Sequence, residues 1–358
     1  MAWPRRAAEV ARSTMASRLD KLPEAVSRLQ SLSHRQLLRL AQGVCIPALS
    51  PSLHKGQSGR VCVVGGSLEY TGAPYFSAHA AALMGSDLVH VLCEWNAATP
   101  IKAYSPDLMV HPHLRDSSSL ARGLEPATEA VRALVDRVHV LVLGPGLGRD
   151  PAMLRSVAGI LEYVADKHEG GIPVVLDADA LLLLSEQATA AAARAALRRF
   201  PPDRVILTPN AVEAKRLAGA FELDDPARLS EYLNCTVVLK GGPDRIYAPG
   251  GSSPLSCSHE GSLKRVAGQG DTLRGCLPAM LAYNRAIHDF GIAEPDYTGL
   301  EGGTLSASER TALCCYVACA VARGASHRAY EAQGRAMQTS DLNGHVGAIF
   351  RDFFPERQ

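Results

Sequence analysis

Neither sign of charge dominates this chain of 358 residues: Lys and Arg number 37, Asp and Glu 36, and the net charge is +1. A nucleic-acid role has little to rest on, because sequence-independent binding needs a broad positive field. No apolar stretch reaches the ~18 residues expected of a membrane span, so no membrane partner is expected. The nine cysteines include no Cys-x-x-Cys pair, and a structural zinc site lacks its framework. Cys315 and Cys319 stand one helical turn apart, but no His follows at ligand spacing, and both read as core residues. An odd count without a disulfide framework fits a reducing compartment. Internal repeats and low-complexity tracts are absent as well.

What the chain does have is apolar bulk and rhythm. It is 47% hydrophobic and 20% charged, ordinary values for an α/β enzyme with a sizeable core. From residue 60 onward, short β-rich runs alternate with Ala- and Leu-rich helical stretches. Strands are predicted at 60–64, 88–93, 138–143, 174–177, 205–207 and 237–240, apolar throughout, as strands buried on both faces are. Helices are predicted between them, among them 73–84, 153–165 and 188–199. This pattern implies an α/β fold with a doubly wound, mainly parallel sheet in a single domain over 43–355.

Residues 1–42 differ in character and are expected to form an N-terminal helical extension. Arg5, Arg6, Arg12 and Arg18 among Ala and Ser resemble a mitochondrial transit peptide, whereas Glu9, Asp20 and Glu24 oppose that reading. An amphipathic helix through Leu37, Leu38 and Leu40 fits better. The expected compartment is the cytoplasm, with mitochondrial targeting by this segment as the alternative.

In such sheets ligands bind beyond the carboxyl ends of the strands, and six segments there carry chemistry. After the first strand, Gly65-Gly66-Ser67 lets backbone amides approach a ligand, and Tyr70-Thr71-Gly72-Ala73-Pro74 starts a helix. Taken alone, the segment reads first as a tight strand–helix turn. Gly144-Pro145-Gly146-Leu147-Gly148 runs into Asp150-Pro151, an N-cap with Pro at the first helical position, and such a helix N-terminus suits a phosphate. The loop has neither a Walker sequence nor Gly-x-Gly-x-x-Gly spacing. Asp177 and Asp179 end a strand; they could hold a metal or orient a hydroxyl, or Asp179 could merely cap the next helix. Asn210 and Glu213, three apart at a helix start, read as a capping box, with Glu213 also able to act on Mg²⁺ through water. Lys240-Gly241-Gly242-Pro243-Asp244 offers a cation beside a permissive turn, for a nucleotide phosphate or for a plain β-turn.

The sixth segment matters most: Ala267-Gly268-Gln269-Gly270-Asp271-Thr272-Leu273-Arg274-Gly275. Two glycines bend the chain into a helix, and successive amides form an anion hole with a carboxylate at its mouth. Phosphoryl transfer needs that pairing of donors and base.

Gly268-Gln269-Gly270-Asp271 resembles the anion-hole-plus-base motif of ribokinase-like vitamin kinases. Its Gln is similar to that of the eukaryotic ATP-dependent (S)-NAD(P)H-hydrate dehydratases. The 54–60 stretch, Glu69–Tyr75, Lys102–Leu108, Gly144–Gly148, Asn210–Leu217, Lys240–Asp244 and Thr339-Ser340-Asp341 match in order, over roughly residues 43 to 350. The resemblance implies a ribokinase-like three-layer α/β/α sandwich and a carbon–oxygen lyase that repairs nicotinamide nucleotides. ATP would phosphorylate the C6 hydroxyl of (6S)-NADHX or (6S)-NADPHX, and phosphate would then leave.

Carried over by motif, Asp271 is the expected general base, and the amides of Gly268 to Asp271, Gly270 included, are expected on the transferring phosphoryl group. Gly146, Asn210, Glu213 and Arg216, with Asp271, are expected at the hydrate. Lys240, Gly241, Asp244, Gly268, Gln269, Gly270 and Thr272 are expected around ATP, with Glu213 near Mg²⁺. The family usually has Gly where this chain has Ala267, Ser at Arg274 and an aromatic at Ala214. Two alternatives stay open: a ribokinase-like vitamin-precursor kinase releasing a stable phosphate ester, and a catalytically silent scaffold. A homo-oligomer is compatible with the sequence.

Overall fold

The structure, a computed structural model, describes residues 27–186, 189–251, 253–298, 300 and 303–355. Arg5, Arg6, Glu9, Arg12, Arg18, Asp20 and Glu24, on which the transit-peptide reading turns, lie outside the described residues.

One sheet contains β1 (Arg60–Val64), β2 (Leu88–Glu94), β3 (Met109–Leu114), β4 (Val140–Leu143), β5 (Val174–Leu176), β6 (Val205–Leu207), β7 (Thr236–Leu239), β8 (Asp244–Tyr247) and β9 (Leu255–Cys257). Their order is β3-β2-β1-β4-β5-β6-β7-β8-β9. Strands β1 to β7 are parallel, and β8 and β9 complete one edge in antiparallel sense. All six strands expected from the sequence are present. β3, β8 and β9 were not expected, for physical reasons. β3 reads Met-Val-His-Pro-His-Leu, and Pro112 is tolerated because β3 is an edge strand. β8 and β9 alternate buried with exposed positions, as one-sided hairpin strands do, and give no continuous apolar run.

The helices that frame the site are α1 (His34–Val44), α2 (Gly72–Leu83), α3 (Pro151–Lys167), α4 (Ala190–Leu197), α5 (Ala211–Ala220), α6 (Gln269–His288), α7 (Ala307–Gln333) and α8 (Thr339–Phe353). Because side chains alternate along a strand, each parallel strand feeds two cores. Val61, Val63, Val140 and Val142 pack with α1, α2, α6, α7 and α8. Cys62, Val64, Leu141, Leu143, Leu176 and Leu207 pack with α3, α4 and α5 on the other face. The result is the expected three-layer α/β/α sandwich.

A capping box between Ser33 and Gln36 starts α1, whose Leu37, Leu38, Leu40, Ala41 and Val44 are buried. The helix spans the expected 42/43 border and shares its core with α7. All nine cysteines are buried, Cys315 and Cys319 in the core as expected. Among the described residues, no helix is long and apolar enough to cross a membrane.

The strand order reverses between β1 and β4, where a parallel sheet opens a crevice. The two loops flanking that crevice are tied directly, the Gly66 N–H donating to the Pro145 carbonyl at 3.0 Å.

Candidate active site

Two cavities lie along the carboxyl ends of the strands. The larger, about 790 Å³, sits at the β1/β4 switch point and is lined by Ser67, Tyr70, Gly146, Asp179 and Asp271 among others. The second, about 540 Å³, lies beyond β6 and β7, between Asn210, Lys240, Gly241, Asp244, Gln269 and Gly270. Arg274 lines both.

The wall of the larger cavity is the Gly144–Gly148 loop. Gly146, at φ 61°, leaves no room for a side chain, since a Cβ would come 2.7 Å from the Tyr70 carbonyl oxygen. Asp150 caps α3 as expected, accepting from the Ala152 and Met153 amides with Pro151 in the first turn. Asp179 is not the cap of the next helical turn. Its Oδ2 accepts the Gly148 N–H at 3.0 Å and so fixes the loop, while the cap is Asp177, which accepts from the Ala178 N–H. The Ser67 hydroxyl is buried at this cavity without a hydrogen-bond partner among the described residues.

Asp177 is fully buried and answers two cations. Lys240 Nζ lies 3.0 Å from each of its oxygens, and Arg274 pairs with Oδ2. Burial alone would raise the Asp177 carboxyl, but Arg274 and Lys240 together hold it below the usual carboxylate range. Arg274 also reaches forward, its Nη1 standing 2.6 Å from Asp271 Oδ1. Asp271 is 5% exposed. Burial pushes its pKa up to about 6; the Arg274 guanidinium pulls against that rise, the Asp177 charge adds to it, and Lys240 opposes it. A carboxylate so tuned is poised to exchange a proton near neutral pH.

Asp271 stands in the first turn of α6, whose N-cap is Gly268 at φ 91°. A Cβ there would meet Thr339 Oγ1 at 2.7 Å, so both conformation and space require glycine. The tight turn at Gly268 uses two of the four amides expected to form the anion hole. The Gln269 N–H donates to Val266 O at 3.2 Å and the Asp271 N–H to Gly268 O at 2.8 Å. Among the described residues, the Gly268 and Gly270 amides have no such partner.

Not every residue expected around ATP reaches a cavity. The Thr272 side chain points away from both, because it falls on the face of α6 that packs on α8, and it is fully buried with its hydroxyl 2.7 Å from Asn343 Oδ1. Asn210 lines the Lys240 cavity rather than the one containing Gly146. Arg216 is exposed and lines neither. The capping box between Asn210 and Glu213 is present, Glu213 Oε2 accepting the Asn210 N–H at 2.8 Å and Asn210 Oδ1 accepting the Glu213 N–H at 2.9 Å. Asp244 holds its turn by accepting the Gly241 N–H at 2.9 Å. Its other oxygen faces Arg323 at 3.3 Å, a cavity-lining residue the sequence did not single out. The one trace Arg323 leaves in the sequence is its position as a lone cation ending the apolar run of α7.

A family model described as NAD(P)H-hydrate dehydratase matches residues 61–323. An ATP-dependent (S)-NAD(P)H-hydrate dehydratase of Saccharomyces cerevisiae is 48% identical over 338 residues, covering 91% of this chain and 99% of the yeast protein. Among solved structures, a ribokinase-like superfamily protein of Enterococcus faecalis superposes with a TM-score of 0.62 at 21% identity, over 90% of this chain and 95% of that one. An ADP/ATP-dependent NAD(P)H-hydrate dehydratase of Bacillus subtilis, co-crystallized with ATP and Mg²⁺, superposes with a TM-score of 0.59 at 20% identity, over 92% and 98%. Both structures speak for a ribokinase-like fold. The family match across most of the sequence, with near-half identity over almost the whole of a relative, gives the assignment: the chain belongs to the NAD(P)H-hydrate dehydratase family.

Proposed function

We propose that this chain is an ATP-dependent lyase that restores NADH and NADPH from (6S)-NADHX and (6S)-NADPHX. The observation that carries this assignment is the junction of the two cavities, where Asp271 lines one and its neighbour Gly270 the other. A nucleotide and a hydrated nicotinamide ring can thus meet across a single carboxylate.

In the first step the C6 hydroxyl oxygen bonds to the γ-phosphorus, and the bond from that phosphorus to ADP breaks with its electron pair on ADP. The hydroxyl proton passes to Asp271, and the Gly268 and Gly270 amides hold the phosphoryl oxygens. In the second step the C6–O bond breaks. Hydroxide is a poor leaving group and phosphate a good one, and the ring nitrogen lone pair assists its departure. A proton passes from the neighbouring ring carbon to the departing phosphate, and the reduced cofactor is restored.

On this assignment Lys240, Gly241, Asp244, Gln269 and Asn210 receive ATP, with Arg323 beside Asp244. Gly146 and the unpartnered Ser67 hydroxyl face the hydrate. Arg216 and the Thr272 side chain have no contact role. Mg²⁺ fits Glu213 as a water-mediated partner, since that carboxylate is anchored by Asn210 and its charge acts on Arg274. When bound with the triphosphate, the ion would supply neutralisation of phosphate charge. We assign the activity to a single domain that runs to residue 355 and includes α1, whose buried face packs into the core, in a cytoplasmic enzyme.

The test is incubation of the purified chain with (6S)-NADHX, Mg²⁺ and ATP, following reduced-nicotinamide absorbance and released phosphate, with ADP in a parallel set. ATP-dependent recovery of both is expected. An ATP-binding protein that gives no recovery, or that accumulates a phosphorylated hydrate, would overturn the assignment in favour of a simple kinase.

A further inference from the structure

Arg274 stands where the resemblance leads one to expect serine, and its surroundings are not those of a surface arginine. Its side chain is 12% exposed. It pairs with the buried Asp177 and, through Nη1, with Asp271 at 2.6 Å. Gly270 lies directly beneath it, for a Cβ there would be 3.1 Å from Nη2. One guanidinium therefore spans three groups: a fixed carboxylate, the amide turn that faces the nucleotide cavity, and the proposed base.

We propose that Arg274 is a catalytic cation, exchanging Asp271 for the γ-phosphoryl group when both cavities are filled, with Asp177 as its fixed anchor. This rests on the reaction proposed above and adds to it a residue that the motif does not supply. At rest the four charges balance, Asp177 and Asp271 against Lys240 and Arg274. An entering hydroxyl competes for the Asp271 oxygen that Nη1 holds, and an entering triphosphate offers the released N–H groups a better acceptor. The guanidinium fork matches phosphate oxygens in two-point geometry. Asp177 stays put because it is also held by Lys240 through both oxygens. The proton and electron balance of the transfer is unchanged: the hydroxyl proton goes to Asp271, the electron pair goes to ADP, and Arg274 gains and loses nothing.

The variants are R274M, R274K and R274A, each checked for folding by circular dichroism and thermal melting. R274M is expected to lower kcat by ~10²-fold or more and to shrink the preference for ATP over ADP measured by calorimetry. Guanidinium ion added to R274A is expected to restore part of the rate, which a purely structural role would not permit. The acid limb of the rate profile is expected to move to higher pH in R274M. The charged groups acting on Asp271 besides Arg274 are Asp177 at the end of β5 and Lys240 after β7, and removing the nearest cation leaves the base harder to ionise. A folded R274M with kcat within about threefold of wild type and an unchanged ATP-to-ADP ratio would overturn the proposal. If R274M does not fold, R274K decides: it keeps the charge without the fork and should lose rate while retaining ATP affinity, and a full rate would overturn the proposal. A wild type that binds ATP but restores no reduced cofactor from the hydrate would sink the dehydratase assignment alone, because the ATP-to-ADP comparison would still decide Arg274.

Discussion

Arg274 Nη1 lies 2.6 Å from Asp271 Oδ1, across one turn of α6, so the carboxylate assigned as the base is paired with a cation before any substrate enters. Its proton affinity is therefore set by the protein before either cavity fills.

Asp271→Asn is expected to lower the rate of NADHX recovery by ~10²–10⁴ while ATP binding by calorimetry stays near wild type. Arg274 keeps Asp177 as a partner in the variant. Because burial disfavours the Asp271 charge, the variant should melt no lower than wild type at neutral pH. A large drop in melting temperature would make the rate loss uninformative about proton transfer and would contradict that electrostatic account.

The pH dependence has two signs. As a base Asp271 must be ionised, so kcat/KM should fall as pH drops through about 6. For stability the raised pKa acts oppositely, since the folded state binds this proton more tightly than the unfolded chain does. Its contribution is fully present below the ordinary value of 3.8 and is lost as pH rises through about 6. Asp177, held low, contributes stability above the ordinary carboxylate range that is lost as pH falls through its lowered value. Urea titrations of wild type and Asp271→Asn across this range should diverge only on the Asp271 side.

Gly268→Ala combines a left-handed backbone with a contact on Thr339. A loss of about 1–3 kcal/mol in urea unfolding is expected, with a fall in kcat because the Gly268 and Gly270 amides lose their aim. Unchanged stability would mean that the turn tolerates a different conformation.

Asp177→Asn removes the fully buried carboxylate between Lys240 and Arg274 and leaves these largely shielded cations with half their countercharge. Removing one partner of such a cluster costs about 3–5 kcal/mol, measurable as a shift in the urea midpoint at constant slope. The double variant with Lys240→Met should cost less than the sum of the two single changes, because the second substitution removes a cation already left short of a partner.

The doubly wound core was legible in the sequence because its central strands are apolar on both faces, as in Val61–Val64 and Leu141–Leu143. The edge strands were not: β3 carries two His and a Pro, and β8 and β9 bury one face only. The loops that gather at the site were legible as glycine and carboxylate signatures after strands. Their pairwise assignments were not, because they depend on distance in space. Asp177 meets Lys240 and Arg274 across 63 and 97 positions, and Arg323 meets Asp244 across 79. Asn210 and Thr272 show the same limit within a motif, since one helical position decides which way a side chain faces.

The burial of all nine cysteines makes the native chain nearly silent to thiol reagents. Labelling then reports opening events, and its rate is a clock for local and global unfolding. Cys276 lies two residues beyond Arg274 on the helix that presents Asp271, whereas Cys235 and Cys62 belong to the opposite core. Peptide-resolved mass tagging with and without ATP would therefore separate tightening of the catalytic helix from stabilisation of the whole molecule, with no engineered probe.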